Sequence, residues 1–125
     1  MNKLQIDFKL SQSSILLAGA TKGVGLELAK LLIKCEAKVG IIGRTKSDGE
    51  NAIKEIQKNN KNSEVFFIQG DLYSDEDRSK IFKSIKGIFP QGINHLVSFL
   101  GSGKTPFGTD VGINTWKEVF DKNFF

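Results

Sequence analysis

The sequence predicts an α/β fold in which short parallel strands alternate with helices in the order βαβαβαβα. Three observations carry this reading. The runs Ser14-Ile-Leu-Leu-Ala18, Lys38-Val-Gly-Ile-Ile42, Glu64-Val-Phe-Phe-Ile68 and His95-Leu-Val-Ser-Phe-Leu100 are nearly continuous in apolar residues rather than alternating, as parallel strands covered on both faces are. Each is followed by glycine, at once or after one residue: Gly19, Gly43, Gly70 and Gly101. The stretches between them are amphipathic with helical period. Such an order builds a parallel sheet with right-handed crossovers. Open sheets of this kind bind ligands beyond the carboxyl ends of their strands, where these glycines stand.

Taken in order, Leu4, Ile6, Phe8 and Leu10 alternate and are expected to form a short strand or an extended lead-in. After the first run, Val24, Leu28, Leu31, Leu32 and Cys35 recur at helical spacing and mark the expected buried face of the first helix. Ser47 with Glu50 resembles a capping box ahead of Ala52, Ile53 and Ile56. Asn59-Asn-Lys-Asn62 reads as a polar turn. Ser74 followed by Asp75, Glu76 and Asp77 suits a helix N-terminus, and Ile81, Ile85, Ile88 and Phe89 continue that helix until Pro90 and Gly92 stop it. Thr115 with Glu118 is a second expected capping box, heading Trp116, Val119, Phe120 and Phe124.

The 125 residues fit one domain, and 39% hydrophobic with 26% charged residues is an ordinary composition for a globular protein. The net charge of +4 comes from scattered cations, with no basic run interleaved with aromatics. A solvated surface explains it better than a nucleic-acid face, and no nucleic-acid partner is expected. The single Cys35 excludes an internal disulfide and a Cys-rich zinc site, and its place in the helical stripe predicts a buried thiol. His95 stands alone, so no metal cluster is expected. The stretch from Met1 to Phe8 has no signal-peptide core, and no apolar run approaches the ~20 residues of a membrane span. The expectation is a cytoplasmic protein without membrane contact.

The turn Gly19-Ala-Thr-Lys-Gly23-Val-Gly25 lies between an apolar strand and an amphipathic helix. A phosphate needs backbone N–H donors, approach unobstructed by side chains, and the positive end of a helix dipole, and this turn offers all three. The spacing G-x-x-x-G-x-G resembles that of the short-chain dehydrogenase/reductase family. Other segments resemble it too. Phe8-Lys-Leu-Ser11 looks like the family's lead-in, and Asp71-Leu72 stands where the family sets an Asp against adenine. Leu96-Val-Ser-Phe-Leu-Gly101 occupies the place of L-V-N-N-A-G, and Trp116 through Asn123 matches the helix whose Asn supports a proton relay. The resemblance implies a Rossmann-type sheet and a nicotinamide dinucleotide held by Gly19, Thr21, Lys22, Gly23, Val24, Gly25, Arg44, Thr45, Asp71, Leu72 and Gly101. It implies a catalytic supporting role for Asn123, a small-molecule substrate, and a homo-oligomer as one open assembly.

Two departures stand out. Ser98, Phe99 and Leu100 replace the two asparagines and the alanine, leaving only Gly101 of that motif. The family's catalytic Ser and Tyr-x-x-x-Lys would fall beyond residue 125. Tyr73 is the only tyrosine, and Asp77 stands where its lysine should be. The chain also stops at Asn123-Phe124-Phe125, inside an amphipathic helix. It therefore reads as a single, partial Rossmann dinucleotide-binding domain over residues 1–125, truncated after the fourth strand and its helix.

The cofactor choice turns on the second strand's end. NAD-binding sites usually place an acid there to hold the ribose hydroxyls. Here Gly43-Arg44-Thr45 follows, with no acid until Asp48, and Lys22 lies within the glycine turn. In the resembling family, basic residues at these places accompany NADP, whose 2′-phosphate a forked guanidinium can grip; NAD is the lesser expectation. Two alternatives stay open. One is a non-catalytic dinucleotide-binding module. The other is a P-loop, from Ser98-Phe-Leu-Gly-Ser-Gly-Lys-Thr105, in which Lys104 would meet phosphates. Pro106, Gly108 and Gly112 interrupt the helix a P-loop needs, so residues 102 to 114 read instead as a loop over cofactor or substrate.

Overall fold

The computed structural model describes residues 8–101 and 112–124. Four strands and four helices alternate: β1 (Ser14–Ala18), α1 (Gly23–Lys34), β2 (Lys38–Gly43), α2 (Lys46–Gln57), β3 (Val65–Gln69), α3 (Asp75–Ile88), β4 (His95–Ser98) and α4 (Ile113–Phe124). All strand pairings are parallel, in the spatial order β3-β2-β1-β4. The sheet grows from β1 in one direction through β2 and β3. The chain then crosses back to lay β4 on the other side of β1, with Leu16 opposite Leu96. That reversal is a topological switch point, the place where open α/β sheets leave a crevice. The predicted Rossmann-type order is the observed one.

Side-chain alternation along each strand feeds two cores. On one face Ile15, Leu17, Val39 and Ile41 pack with Leu26, Ala29, Leu32 and Ile33 of α1 and with Ala52 and Ile56 of α2. On the other, Leu16, Ile42 and Ile68 pack with Ile81 of α3 and with Phe89 just beyond it. Burying one such side chain is worth about 1.5–3 kcal/mol, and Leu17, Val39 and Ile41 are fully covered. Gly40 makes room for the second core, because a Cβ there would meet the Phe89 ring at 2.9 Å. Lys38 closes it by donating Nζ to the Ile88 carbonyl at 2.6 Å, satisfying an end of α3 while its charge lies near the Phe66 and Phe89 rings.

Several local expectations are corrected. In α1, Val24, Leu31 and Cys35 are exposed, and the buried residues are Gly25, Leu26, Ala29, Leu32 and Ile33. Leu32 is buried and Leu28 packs half-buried against the core as expected, so the centre of the stripe is rotated by about one residue rather than misplaced throughout. Helix and turn approach closely at Gly25, where a Cβ would lie 2.8 Å from the Ala20 Cα, and the buried Gly25 and Ala29 are silent in a pattern of large apolar residues. Cys35 is the residue that closes α1 and carries an exposed thiol. The Ser47–Glu50 capping box does not form: Lys46 is already helical and Thr45 takes the cap position without a side-chain bond. Glu50 pairs with Lys46 instead. Ser74 does cap α3, accepting from the Asp77 N–H at 3.3 Å.

Helix α4 starts two residues before Thr115, whose N–H donates to Gly112. The Thr115–Glu118 box is therefore inside the helix, and Glu118 pairs with Lys122, which holds its exposed carboxyl below the usual range. Of the alternating lead-in, Leu4 and Ile6 lie outside the described residues; Phe8 and Leu10 are not in a strand, and Ser13 N–H turns back to the Leu10 carbonyl. The fourth run was expected to be covered on both faces. Only Val97 and Phe99 are half-buried, and Leu96 is 63% exposed, because among the described residues β4 has a neighbour on one side only.

Candidate functional site

The carboxyl ends of the strands converge through backbone bonds. Gly19 N–H donates to Ile42, Gly70 N–H to Gly43, and Phe99 N–H to Ala18, at 2.8–2.9 Å. Beyond them opens a cleft of about 760 Å³, lined by the strand-end glycines Gly19, Gly43, Gly70 and Gly101. The four glycines predicted to mark a binding edge thus form one surface.

The turn from β1 to α1 gets its shape from three glycines used differently. Gly19 and Gly23 have φ of +79° and +58°, a backbone region costly for L side chains. Gly25 is needed for space, since a Cβ there would lie 2.8 Å from the Ala20 Cα. Lys22, the residue before α1, is extended and offers no side-chain cap. The first-turn N–H groups of α1 therefore have no side-chain partner from that position, as an anion-binding helix start requires.

Around this turn the cleft gathers Thr21, Lys22, Arg44, Thr45, Asp71 and Leu72 from three separate loops. Eight of the expected cofactor residues line it: these six with Gly19 and Gly101. Gly23, Val24 and Gly25 do not; Gly23 and Gly25 shape the turn, and Val24 points to solvent at 76% exposure. Arg44 is exposed, and its carbonyl accepts from Gln69 Nε2 at 3.3 Å, which ties the β2 end to β3. Asp71 is half-buried; its Oδ1 accepts from the Tyr73 N–H and its own N–H donates to Asp77. One carboxylate oxygen is thus committed to holding the loop.

Sequence reasoning missed four contributors. Asp48 lines the cleft and pairs with Lys22 at 3.1 Å. Nothing in a 26-residue separation announces that contact, because the two side chains meet only once β1 and β2 are side by side. Phe99 and Leu100 also line the cleft, and Leu100 lies over the turn, 3.2 Å from where a Gly19 Cβ would be. Tyr73 donates its hydroxyl to the Lys122 carbonyl at 2.5 Å, fastening the end of α4 to the β3–α3 loop. Asn123 sits beside this link. Its Nδ2 donates to Val119 at 2.8 Å, and its Oδ1 lies where a Cβ on Gly101 would come within 2.5 Å. It reaches the strand-end glycine without lining the cleft. Lys104 and residues 102–111 lie outside the described residues, while 113 and 114 belong to α4 rather than to a loop.

The site's residues fit a dinucleotide: a side-chain-free phosphate cradle, the basic residues Lys22, Arg44 and Lys122, the carboxylates of Asp48 and Asp71, and an open trough at the switch point. Comparison with known proteins agrees with this architecture. The family model described as short chain dehydrogenase matches residues 13–125. An uncharacterized oxidoreductase of Bacillus subtilis (strain 168), YxnA, is 29% identical over 123 residues, which cover 94% of this chain and 32% of that protein. The chain thus spans about a third of the length of this relative. A short chain dehydrogenase from Bacillus anthracis superposes with a TM-score of 0.71 at 25% identity, over 87% of this chain and 44% of that one. L-sorbose reductase from Gluconobacter frateurii, solved with NADPH and L-sorbose, shares the fold with a TM-score of 0.72 at 19% identity, over 90% of this chain and 42% of its own. No helix among the described residues is long and apolar enough to cross a membrane. With the glycine turn, the switch-point cleft and a family match over nearly its whole length, the chain belongs to the short chain dehydrogenase family, oxidoreductases that use nicotinamide cofactors on small molecules.

Proposed function

We propose that the chain is the cofactor-binding half of an NADP-dependent short-chain oxidoreductase, which moves a hydride between nicotinamide and the carbonyl or alcohol carbon of a small-molecule substrate. The observation that carries this reading is the presence of Lys22 and Arg44 in one cleft with the glycine turn. Residues 1–125 then form a single, partial Rossmann domain working in the cytoplasm, with self-association into a homo-oligomer as part of the same reading.

Each group has a physical task in this proposal. NADP, when bound, supplies the redox chemistry. The backbone from Gly19 to Gly25, with Thr21 and Val24 in the same turn, holds the pyrophosphate at the start of α1. Lys22 and Arg44, with Thr45 beside them, hold the 2′-phosphate; Arg44 contributes a planar fork and Lys22 a mobile point charge. Asp71 and Leu72 flank the adenine, and Gly101 leaves room at the end of β4. Asn123 orients a water and backbone groups and transfers no hydride.

The Lys22→Ala, Arg44→Ala double variant tests the cofactor assignment by isothermal titration. Charge-assisted bonds of this kind predict a loss of NADP affinity on the order of tenfold or more, with NAD affinity changed by less than about twofold. Equal losses for the two cofactors would sink the assignment.

A second reading, a non-catalytic dinucleotide-binding module, draws support from Phe99 and Leu100, which line the cleft. Turnover separates the two: NADPH consumed with a carbonyl substrate by the whole protein supports the oxidoreductase, and NADPH bound tightly without turnover supports the module.

A further inference from the structure

The cleft's cation pair is not a simple phosphate clamp. Lys22 Nζ is engaged by Asp48 Oδ2 at 3.1 Å, and Asp48, in the first turn of α2, lines the same cleft as Lys22 and Arg44. Asp48 is the less exposed partner, its side chain 31% accessible against 73% for Lys22. The mobile lysine is thus drawn to a better-fixed carboxylate. Among the described residues the Arg44 guanidinium has no such partner.

Resting on the NADP reading above, we propose that Asp48 is a specificity-determining residue: it restrains binding of a 2′-phosphorylated ribose and keeps the cleft open to the unphosphorylated one. The argument is geometric. An ammonium that holds both a carboxylate and a phosphate keeps them within about 6 Å, since each arm is about 3 Å. That separation is shorter than the ~8 Å screening length at physiological salt, so the two anions repel. A 2′-phosphate carries nearly two negative charges at neutral pH, which enlarges the conflict. A ribose hydroxyl meets the opposite situation. Asp48 Oδ1 accepts no hydrogen bond among the described residues and is available to accept one from it. One carboxylate therefore acts on both sides of the discrimination, four residues beyond Arg44 and one helical turn from the strand end.

The test uses adenosine 2′,5′-bisphosphate and 5′-AMP as probes, titrated calorimetrically into the chain and into its Asp48→Asn and Asp48→Ser variants. Both replacements keep a small polar side chain in the first turn of α2, and circular dichroism verifies their folding. The expected result is binding of the bisphosphate on the order of fivefold tighter in both variants at low salt, with the gain shrinking as ionic strength rises. Binding of 5′-AMP stays the same or weakens. Unchanged or weaker bisphosphate binding in folded variants, while the parent chain still prefers the bisphosphate to 5′-AMP, overturns the role of Asp48 alone. If neither the parent chain nor the variants prefer the bisphosphate to 5′-AMP, the NADP reading falls, and the role of Asp48 with it.

Discussion

The two ends of the sheet carry depressions of similar size and opposite character. The carboxyl end holds a cleft of about 760 Å³ ringed by Gly19, Gly43, Gly70 and Gly101, with Lys22 and Arg44 beside them. The amino end holds one of about 600 Å³ lined by Gln12, Glu36, Asn60 and Asn62 to Glu64, and no glycine is among its lining residues. Volume does not distinguish them; chain direction does. Because every strand is followed by a helix running back, α1, α2 and α3 begin at the carboxyl end and finish at the amino end. Each helix start carries about half a positive charge and each helix end the reverse. The carboxyl cleft therefore favours anions before any lysine is counted. The amino depression sets the carboxylates of Glu36 and Glu64, and one cation, Lys61, beside negative helix ends.

The backbone shows the same contrast. Both ends need residues with positive φ: the carboxyl end uses Gly19 and Gly23, while the amino end uses Gly92 at +93° and also carries side chains at Gln12 and Glu36, at +65° and +61°. Side chains are tolerable where nothing has to approach. In the proposed function, glycine is needed where a phosphate would touch the main chain.

The largest test of this contrast is Gly25→Val. Its Cβ would collide with the Ala20 main chain at 2.8 Å, which cannot swing away, and would crowd the Phe99 ring at 3.0 Å. Overpacking at a helix–turn contact predicts a loss of about 2–3 kcal/mol in chemical denaturation, together with loss of NADP binding. Native stability in this variant would show that the close approach does not shape the turn.

Gly23→Ala is the subtler companion. No atom lies within 4 Å of a Cβ at Gly23, so the cost is conformational alone. A left-handed alanine predicts about 1 kcal/mol of destabilisation, with weaker NADP binding because the N–H directions of the turn change. An alanine variant as stable and as tight-binding as the parent would mean that the positive φ is incidental.

Much of this carboxyl end is legible in the sequence, for a definite reason. Glycine spacing, apolar runs and the Ser74 cap are local signals, and each survives folding as read: β1 is Ser14–Ala18, and Ser74 caps Asp77. Most of what fails depends on partners, although the local Ser47–Glu50 and Thr115–Glu118 boxes do not form either. The stripe of α1 is displaced because Gly25 and Ala29 are buried, and small residues carry little hydrophobic signal. Cys35 is exposed because the helix ends there. The Lys22–Asp48 pair and the Tyr73–Lys122 bond join elements distant in sequence, and no periodicity encodes them.

The smallest expected effect belongs to the amino end, and it is the sharpest control. Glu36 has φ +61°, its carbonyl accepts from Gln12 N–H at 3.0 Å, and its carboxylate accepts from Ser11 Oγ at 3.2 Å. Replacing it by glycine removes a left-handed penalty of about 1–2 kcal/mol and adds a glycine entropy cost of about 0.5–1 kcal/mol. The exposed Ser11 bond is a minor loss. The balance predicts a gain of about 0.5 kcal/mol for Glu36→Gly in denaturant titration. The removed charge should not reach the cofactor: the five residues of β1 span about 16 Å, twice the screening length at physiological salt. NADP affinity should therefore stay at the parent value, unlike that of Gly23→Ala at the other end. A fall in affinity would mean that the two ends are mechanically coupled through β1 and α1, and that direction of the helices alone does not account for the proposed anion site.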